Sequence, residues 1–400
     1  MKVLIINSGS SSIKYQLMLM PAEQIVCQGI VERIGSQEAI FTYKTDKDEV
    51  NNTLPVMNHK AGLKLITNLL VDPKIGVIKN ASEIDAVGHR VVHGGNTLYK
   101  ATIVDKQVKD KINELSALAP LHNPHNLEGI VLAEKFFGNA KQITVFDTAF
   151  HHTIPEKASK YAMPNEFFDE HGIQVYGFHG ISHKYVTAKA IDYLNKQESK
   201  IVSIHLGNGC SMTAVHNGIS VDHSLGFTPS NGLIMGTRSG DIDHAVIFYL
   251  VDTLGYNLDE VKTLLTRKSG MLGLTGFTDL RDIQAEAEKG NKNCLLALEM
   301  NAYRIKKYIG AYAAAMNGLD AVLFTAGIGE NSSLLREMVC RNMDFLGMQL
   351  DSGLNVIRNS DIREISTTTS KVKILVVPTN EELEIAKEAY SKVALSQKVK

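Results

Sequence analysis

Val3-Leu4-Ile5-Ile6-Asn7-Ser8-Gly9-Ser10-Ser11-Ser12-Ile13-Lys14 opens the chain with an apolar run, a turn of small hydroxyl residues and the start of a second β-rich run. Residues 3–6 read as a buried strand, Ser8 to Ser12 as a tight turn and residues 13–20 as a returning strand. Residues 25–34 and 40–43 extend the meander. The same grammar recurs later: residues 201–206 are apolar, Gly207-Asn208-Gly209 turns, and residues 211–215 return before His216-Asn217-Gly218. Strand, small-residue turn, strand and later helices therefore occur twice. The expectation is an α/β protein built from a duplicated domain, with its boundary near residue 150; the repeat is one of pattern, not of letters.

Working outward, helical spacing marks residues 59–70 and 105–118, while residues 84–92 and 143–146 are strand-like. Residues 147–200 read as an irregular stretch rich in His, Pro and Gly. The second half is more helical, over residues 241–251, 258–265 and 294–316. It then repeats strand, turn and helix twice: residues 321–325 lead into Gly327-Ile328-Gly329-Glu330-Asn331, and residues 374–377 into Pro378-Thr379-Asn380-Glu381-Glu382. Thr379-x-x-Glu382 has the spelling of a capping box. The lysine-rich tail is expected to fray.

Composition bounds the function. Of 400 residues 44% are apolar, enough for a sizeable core, and 42 basic against 43 acidic side chains leave a formal charge of −1. Neither a nucleic-acid footprint nor a membrane-steering patch is present. Met1-Lys2 precedes only a short apolar run, and no stretch is long enough to span a bilayer. Four widely spaced cysteines, Cys27, Cys210, Cys294 and Cys340, contain no C-x-x-C, so reduced thiols in a cytoplasmic protein are expected.

The Gly- and Ser-rich turns carry the first chemical signal. Small side chains let backbone N–H groups approach phosphate oxygens, and hydroxyls add donors. Lys14 stands two residues into the returning strand, able to reach back over its turn. Each turn alone is an ordinary hairpin. Two in equivalent places of a duplicated domain point to a nucleotide in an interdomain cleft. No G-x-x-x-x-G-K-[ST] occurs, and Gly207-x-Gly209 lacks the third glycine of a dinucleotide fingerprint. P-loop and hydride chemistry lose their main support.

Charged groups at strand ends carry the second signal. Arg90 lies in an apolar strand, where a guanidinium needs a partner and where its fork matches carboxylate or phosphate. Arg238 sits on a loop before a helix, and Asp147 ends a strand, a usual place for a working carboxylate in α/β sheets. His122-x-x-His125 and His151-His152 form no complete zinc constellation. His179, flanked by glycines, has close backbone access. Asn7 and Glu381 are candidates to hold Mg²⁺, with a first-turn helix acid as the plainer reading of Glu381.

Taken together, Val3 to Lys14, Gly88-His-Arg-Val-Val-His-Gly-Gly95, Phe146-Asp-Thr-Ala-Phe150, Tyr176-Gly-Phe-His-Gly180, His205-Leu-Gly-Asn-Gly209, Met235-Gly-Thr-Arg-Ser-Gly-Asp-Ile-Asp243 and Gly327 to Asn331 resemble the signatures of the acetate kinase family. The matches run in order from residue 3 to about residue 386. The resemblance implies an actin-like, duplicated ribonuclease-H-like fold of the sugar kinase superfamily. Its domains would span residues 1–150 and 151–384, with residues 385–400 crossing back onto the first. It further implies ATP and ADP as co-substrates, Mg²⁺ (or Mn²⁺) in the cleft, and a homodimer.

Residue by residue, the resemblance implies that Asn7 and Glu381 are magnesium-site residues. Nucleotide-contacting segments are Lys14, His205-Leu206-Gly207-Asn208-Gly209, Asp279-Leu280-Arg281 and Gly327-Ile328-Gly329-Glu330-Asn331. Arg90 corresponds to the substrate-binding arginine, Asp147 to the essential aspartate, and His179 and Arg238 to transition-state stabilisers. Val92, Leu121, Phe178 and Pro229 correspond to the pocket for the acyl methyl group. Ala326, Ile181, His125, His152, His223 and His244 depart from the family's usual spelling, Ala326 standing where a glycine opens the motif.

The reaction so implied is reversible transfer of the ATP γ-phosphoryl group to a short carboxylate, giving an acyl phosphate and ADP. Positioned cations should carry most of the catalysis. The acceptor, with a pKa of about 4, is already ionised at pH 7. Asp147 is therefore expected to orient an arginine or the metal shell, whereas the resemblance assigns it proton transfer. Val92 beside Arg90 favours acetate over propionate, with a propionate kinase as the alternative. A sugar or glycerol kinase, in which Asp147 would be a true general base, and a nucleotide-driven actin-like ATPase are the more remote readings.

Overall fold

The structure, a computed structural model, describes residues 1–398 and divides into two compact units, residues 1–149 with 380–398 and residues 150–379. Of the tail expected to fray, Val399 and Lys400 lie outside the described residues. The returning segment begins at Asn380, earlier than the expected residue 385.

Unit 1 carries eight strands: β1 (Lys2–Ser8), β2 (Ser12–Leu19), β3 (Gln24–Glu32), β4 (Ser36–Thr45), β5 (Glu49–Val56), β6 (Ala86–Val91), β7 (Thr102–Ile103) and β8 (Lys141–Phe146). They pair in the order β5-β4-β3-β2-β1-β6-β8-β7. Unit 2 carries β9 (Lys200–Leu206), β10 (Cys210–His216), β11 (Ile219–His223), β12 (Ala321–Thr325), β13 (Arg363–Glu364) and β14 (Lys373–Val376), ordered β11-β10-β9-β12-β14-β13.

The duplication is visible in the pairing. In unit 1, β2 runs antiparallel to both of its neighbours, β1 and β3, and β1, β6 and β8 run parallel. In unit 2, β11, β10 and β9 are antiparallel, and β9, β12 and β14 parallel. Each sheet thus holds the same five-strand order, third-second-first-fourth-fifth, with the same directions. This is the ribonuclease-H-like arrangement. Unit 1 adds β4 and β5 beyond the third strand, and each sheet ends in a short antiparallel strand, β7 or β13.

Parallel neighbours need crossover helices, and burial on both faces makes their strands nearly continuous apolar runs. Val3 to Ile6, Val202 to Leu206 and Ala321 to Thr325 are buried throughout. On one face of the first sheet, Leu4, Ile6, Ile13 and Tyr15 pack against Leu63, Ile66 and Leu70 of helix His59–Leu70 and Ala133 of helix Asn123–Phe136. On the other, helix Glu381–Lys398 crosses β1, β6 and β8. Gly88 permits that approach: a β-carbon there would stand 2.8 Å from Ile385 Cγ2. Unit 2 uses helix Gly180–Leu194, against β9 and β12, in a comparable position.

Several readings need correction. Residues 49–56 form a strand that the meander omitted, and residues 180–194 are helical rather than irregular. The sequence Gly327 to Asn331 is not a turn but most of a short helix, Ala326–Asn331. Thr379 does not cap the last helix: Asn380 Oδ1 accepts from Leu383 N at 2.9 Å, so Asn380 does. Among the described residues all four cysteines are free and buried, and no helix is long and apolar enough to cross a membrane.

Two features of the interior lead to predictions. Ala326 enters its helix at φ 64°, the left-handed region that disfavours a β-carbon. Ala326→Gly should therefore raise stability by about 0.5–1 kcal/mol in denaturant unfolding, after the extra unfolded-state entropy of glycine is subtracted; a loss of stability would refute the strain. Secondly, burial depresses His89 and His93 to about 4 and His223 to about 3, and holds His151 and His183 well below the usual imidazole range. Because an unfolded histidine titrates near 6.5, acidification below that pH protonates the unfolded chain first. The contribution is full above pH 6.5 and is lost as pH falls. His89→Asn should flatten the stability–pH slope between pH 6 and 4.5 by up to about 1.4 kcal/mol per pH unit; an unchanged slope would count against a buried neutral imidazole.

Candidate active site

In unit 1 the parallel alignment determines which side chains meet. Ile6 pairs with His89, and Val91 with Phe146, so β1, β6 and β8 end on one edge of the sheet. Asn7, Arg90 and Asp147 stand at those ends, and Glu381 begins the helix that crosses the same strands. Asp147 N donates to Val91 O at 3.0 Å, which anchors the aspartate one step past its strand.

Arg90 is the centre of this group. Its Nε donates to Asp147 Oδ1 at 3.0 Å and its Nη2 to Asp147 Oδ2 at 2.5 Å, a two-point fork. Longer contacts run from Nη1 to Asn7 Oδ1 at 3.5 Å and from Nε to Glu381 Oε2 at 3.8 Å. Burial opposes the arginine's charge, but Asp147 and then Glu381 outweigh it and hold the guanidinium above its usual range. Beside it, Lys14 Nζ pairs with Glu382 Oε1 at 2.5 Å rather than lying free over its turn. Val92 is buried next to the strand end, and Leu121 is exposed.

The same cluster is short of positive charge. Asp147, Glu381 and Glu382 face two cations, Arg90 and Lys14. Burial, with Asp147 and Glu382 nearby, raises the Glu381 carboxyl above its ordinary value despite the opposing pull of Arg90 and Lys14. In a cluster that lacks one positive charge, the hard oxygens of Asn7 and Glu381 have the chemistry of a Mg²⁺ site.

In unit 2 the corresponding edge is built from β9 and its turn. His205 and Leu206 end β9 and are buried. Gly207 N donates to Gly209 O, and Gly236 N donates to Asn208 O, both at 3.1 Å, which tie the turn to the Met235-Gly236-Thr237-Arg238 loop. A β-carbon at Gly236 would lie 2.1 Å from Asn208 Oδ1, so the glycine lets the Asn208 side chain stay where it is. A β-carbon at Gly209 would touch His179 Nε2 at 3.4 Å and Arg238 Nη2 at 3.5 Å, so the imidazole and the guanidinium converge on this turn.

Both are held in place. Arg238 Nη1 donates to Pro229 O at 2.5 Å, and burial lowers its pKa from the usual guanidinium value, with some opposition from Cys210. His179 stacks on His205 with ring centroids 4.4 Å apart, and its Nδ1 bonds Ser211 Oγ at 2.9 Å. Ser211 in turn bonds His183 Nε2 at 2.8 Å, and His183 Nδ1 bonds Ser203 Oγ at 2.8 Å. His179 itself adopts φ 56°, and the preceding carbonyl, Phe178 O, is bonded by both His151 and His223. The Phe178 side chain is buried, and Pro229 is half-buried.

Next to the turn, unit 2 contains a cavity of about 750 Å³. Of the expected nucleotide segments, Gly207, Asn208, Asp279, Leu280, Arg281, Gly327, Ile328 and Asn331 line it. Gly329 packs beneath, on Phe324, and Glu330 instead accepts from Thr379 N at 3.1 Å. Asp279 caps helix Leu280–Glu288 through Arg281 N and forks the Arg281 side chain, so the two act as one exposed pair. Sequence reading missed Thr237, Thr278, Gln284, Ser332 and Arg358, which also line the cavity. Thr237 and Thr278 adjoin motifs already singled out; Arg358 lies in a segment with no distinguishing pattern.

A model of the acetokinase family matches residues 2–387. An acetate kinase of Flavobacterium johnsoniae is 60% identical over 390 residues, covering 98% of this chain and 99% of its own. Two solved structures superpose closely. The acetate kinase of Porphyromonas gingivalis has a TM-score of 0.92 at 43% identity, covering 98% of this chain and 99% of its own. A propionate kinase of Francisella tularensis subsp. tularensis SCHU S4 has the same score at 38% identity, with the same coverage. With matched strand order, matched motifs and full-length similarity, the chain belongs to the acetokinase family.

Proposed function

We propose that this protein is an acetate kinase, transferring the ATP γ-phosphoryl group reversibly to acetate to give acetyl phosphate and ADP. The observation that carries the reading is the state of Arg90. Asp147 occupies its Nε–Nη2 edge, while its other contacts, at 3.5 and 3.8 Å, are long. The Nη1 edge therefore retains donors for a substrate carboxylate, with buried Val92 beside it to receive a methyl group. Full-length relatives named acetate kinase support the same conclusion.

Unit 1 supplies the carboxylate-binding arginine, and unit 2 the groups that act on the phosphoryl group. Arg238 and His179, aimed at the Gly209 turn, neutralise charge that develops on the transferring oxygens. His179 works through a fixed ring: Ser211, His183 and Ser203 orient it on one side and His205 stacks on the other. The cavity beside Gly207 and Asp279 takes the nucleotide. Asn7 and Glu381 would hold Mg²⁺, which when bound neutralises phosphate charge. Asp147 keeps Arg90 aligned and needs no proton-transfer role with an acceptor already ionised.

Acetate is favoured over propionate because Val92 narrows the space beside Arg90. One methylene is worth only about 1–3 kcal/mol, so propionate is a slower substrate rather than an excluded one. A homodimer in the cytoplasm completes the reading. Exposed Ile242, Val246, Phe248, Tyr249, Leu254 and Leu258 give unit 2 an apolar surface for a second copy, and four free buried thiols suit a reducing compartment.

Coupled ADP release, with acetate, propionate, butyrate and glycerol compared side by side, tests the assignment. Acetate should give the highest kcat/KM, propionate less, and hydroxylamine should trap an acyl phosphate. Glycerol-dependent turnover, or ADP release indifferent to acetate, would overturn it. Arg238→Ala and His179→Ala should each lower kcat by about 100-fold or more while KM for acetate changes little. A raised KM with unchanged kcat would reassign them to ground-state binding.

A further inference from the structure

We propose that His59, His125 and Glu128 of unit 1 form a binding site for a zinc-class transition-metal ion. One ligating atom from each side chain lies within 4.8 Å of the other two, and the ion would sit among them. His59 opens helix His59–Leu70, while His125 and Glu128 stand one turn apart on helix Asn123–Phe136. The two imidazoles stack with centroids 5.5 Å apart and planes inclined by 22°.

A backbone hydrogen bond fixes the orientation of the His59 ring. Its Nε2 lies 2.7 Å from Gly9 O, which can only accept, so Nε2 carries the proton. The lone pair is then on Nδ1, and Nδ1 faces Glu128 Oε2 at 3.6 Å. This nitrogen and this carboxylate oxygen are set to share one cation, a proton in a simple salt bridge or a metal ion when one is bound. A ring whose second nitrogen donates to a backbone carbonyl is also the usual arrangement around a protein-bound metal.

Donor type selects the ion. Two imidazole nitrogens and one carboxylate oxygen suit Zn²⁺, Co²⁺, Ni²⁺ or Cu²⁺ and disfavour Mg²⁺, which takes oxygen. Two neutral rings and one carboxylate leave a divalent ion with one unit of positive charge. Glu128 is 46% exposed while His59 is buried, so the fourth position opens to water. This set shares no residue with the oxygen donors Asn7 and Glu381.

The ion would act on the Ser8–Ser12 turn. His59 donates to Gly9 O, and Asn126, on the same helix as His125 and Glu128, donates through Nδ2 to Ser8 O at 2.8 Å. Joining the two helices by a metal stiffens both anchors of the turn that follows Asn7. The site is therefore structural or regulatory, with no part in the chemical step.

The full-length protein should be titrated with Co²⁺ in the presence of excess Mg²⁺, following visible absorption and thermal unfolding. Wild type is expected to take up one Co²⁺ that Mg²⁺ does not displace, with the d–d band of a four-coordinate ion and a raised melting temperature. His125→Gln and Glu128→Gln should each weaken uptake by about tenfold or more and lose the band, while acetate-dependent ADP release in Mg²⁺ persists. Equal Co²⁺ uptake by wild type and both variants overturns the site, as does the absence of any Mg²⁺-resistant Co²⁺ in the wild type.

Discussion

A guanidinium partly withdrawn from water is unfavourable unless its charge and its hydrogen bonds are both answered. For Arg90 the answer is Asp147, itself buried, which grips two of the guanidinium nitrogens at once. That grip exists because β1, β6 and β8 run parallel and end together, bringing residues 7, 90 and 147 to one edge. Antiparallel pairing at either junction would send one of the three to the far side. The chemistry of unit 1 is thus a consequence of strand direction, and the apolar core that sets that direction supports the site indirectly.

Unit 2 repeats the arrangement but uses it differently. Where the first sheet ends in ionised groups, the equivalent edge of the second ends in His205 and a glycine turn. Its ordering comes from hydrogen bonds among Ser203, His183, Ser211 and His179, and from two histidines on one carbonyl. Fully satisfied polar networks of this kind specify a single side-chain placement, and one missing member leaves a buried group unpaired. One scaffold therefore carries a salt-bridged half and a half ordered by hydrogen bonds beside Arg238. In the proposed reaction the first would bind an anion in its ground state, and the second would meet charge that appears only during transfer.

Much of this was legible in the amino-acid order, and the exceptions have physical causes. Residues 3–14 and 201–215 were readable because buried parallel strands are apolar throughout and glycine- or serine-rich turns punctuate them. Helix His59–Leu70 follows from its Leu63, Ile66 and Leu70 spacing. Helix Gly180–Leu194 did not show itself, since Ser182, His183 and Thr187 are buried alongside Ile181 and Val186 and blur the apolar stripe. Strand β5 carries Asn51, Asn52 and Pro55 at a sheet edge, where polar residues and proline are tolerated. The start of the last helix was misplaced by one residue because Thr379 and Asn380 are both good caps, and tertiary contacts engage Thr379 elsewhere. The individual site residues stood out by type and position, but their pairing, above all Arg90 with Asp147, depends on register that one sequence does not display.

The account rests on Asp147 acting through Arg90. Steady-state kinetics of Asp147→Asn, Arg90→Ala and the double variant test it directly, each compared with wild type for acetate and ATP. If the aspartate works by aligning the guanidinium, Asp147→Asn loses most of its acetate-dependent turnover. The double variant is then little worse than Arg90→Ala, because the two losses share one cause. Near-normal turnover by Asp147→Asn, or losses that simply multiply in the double variant, would contradict it.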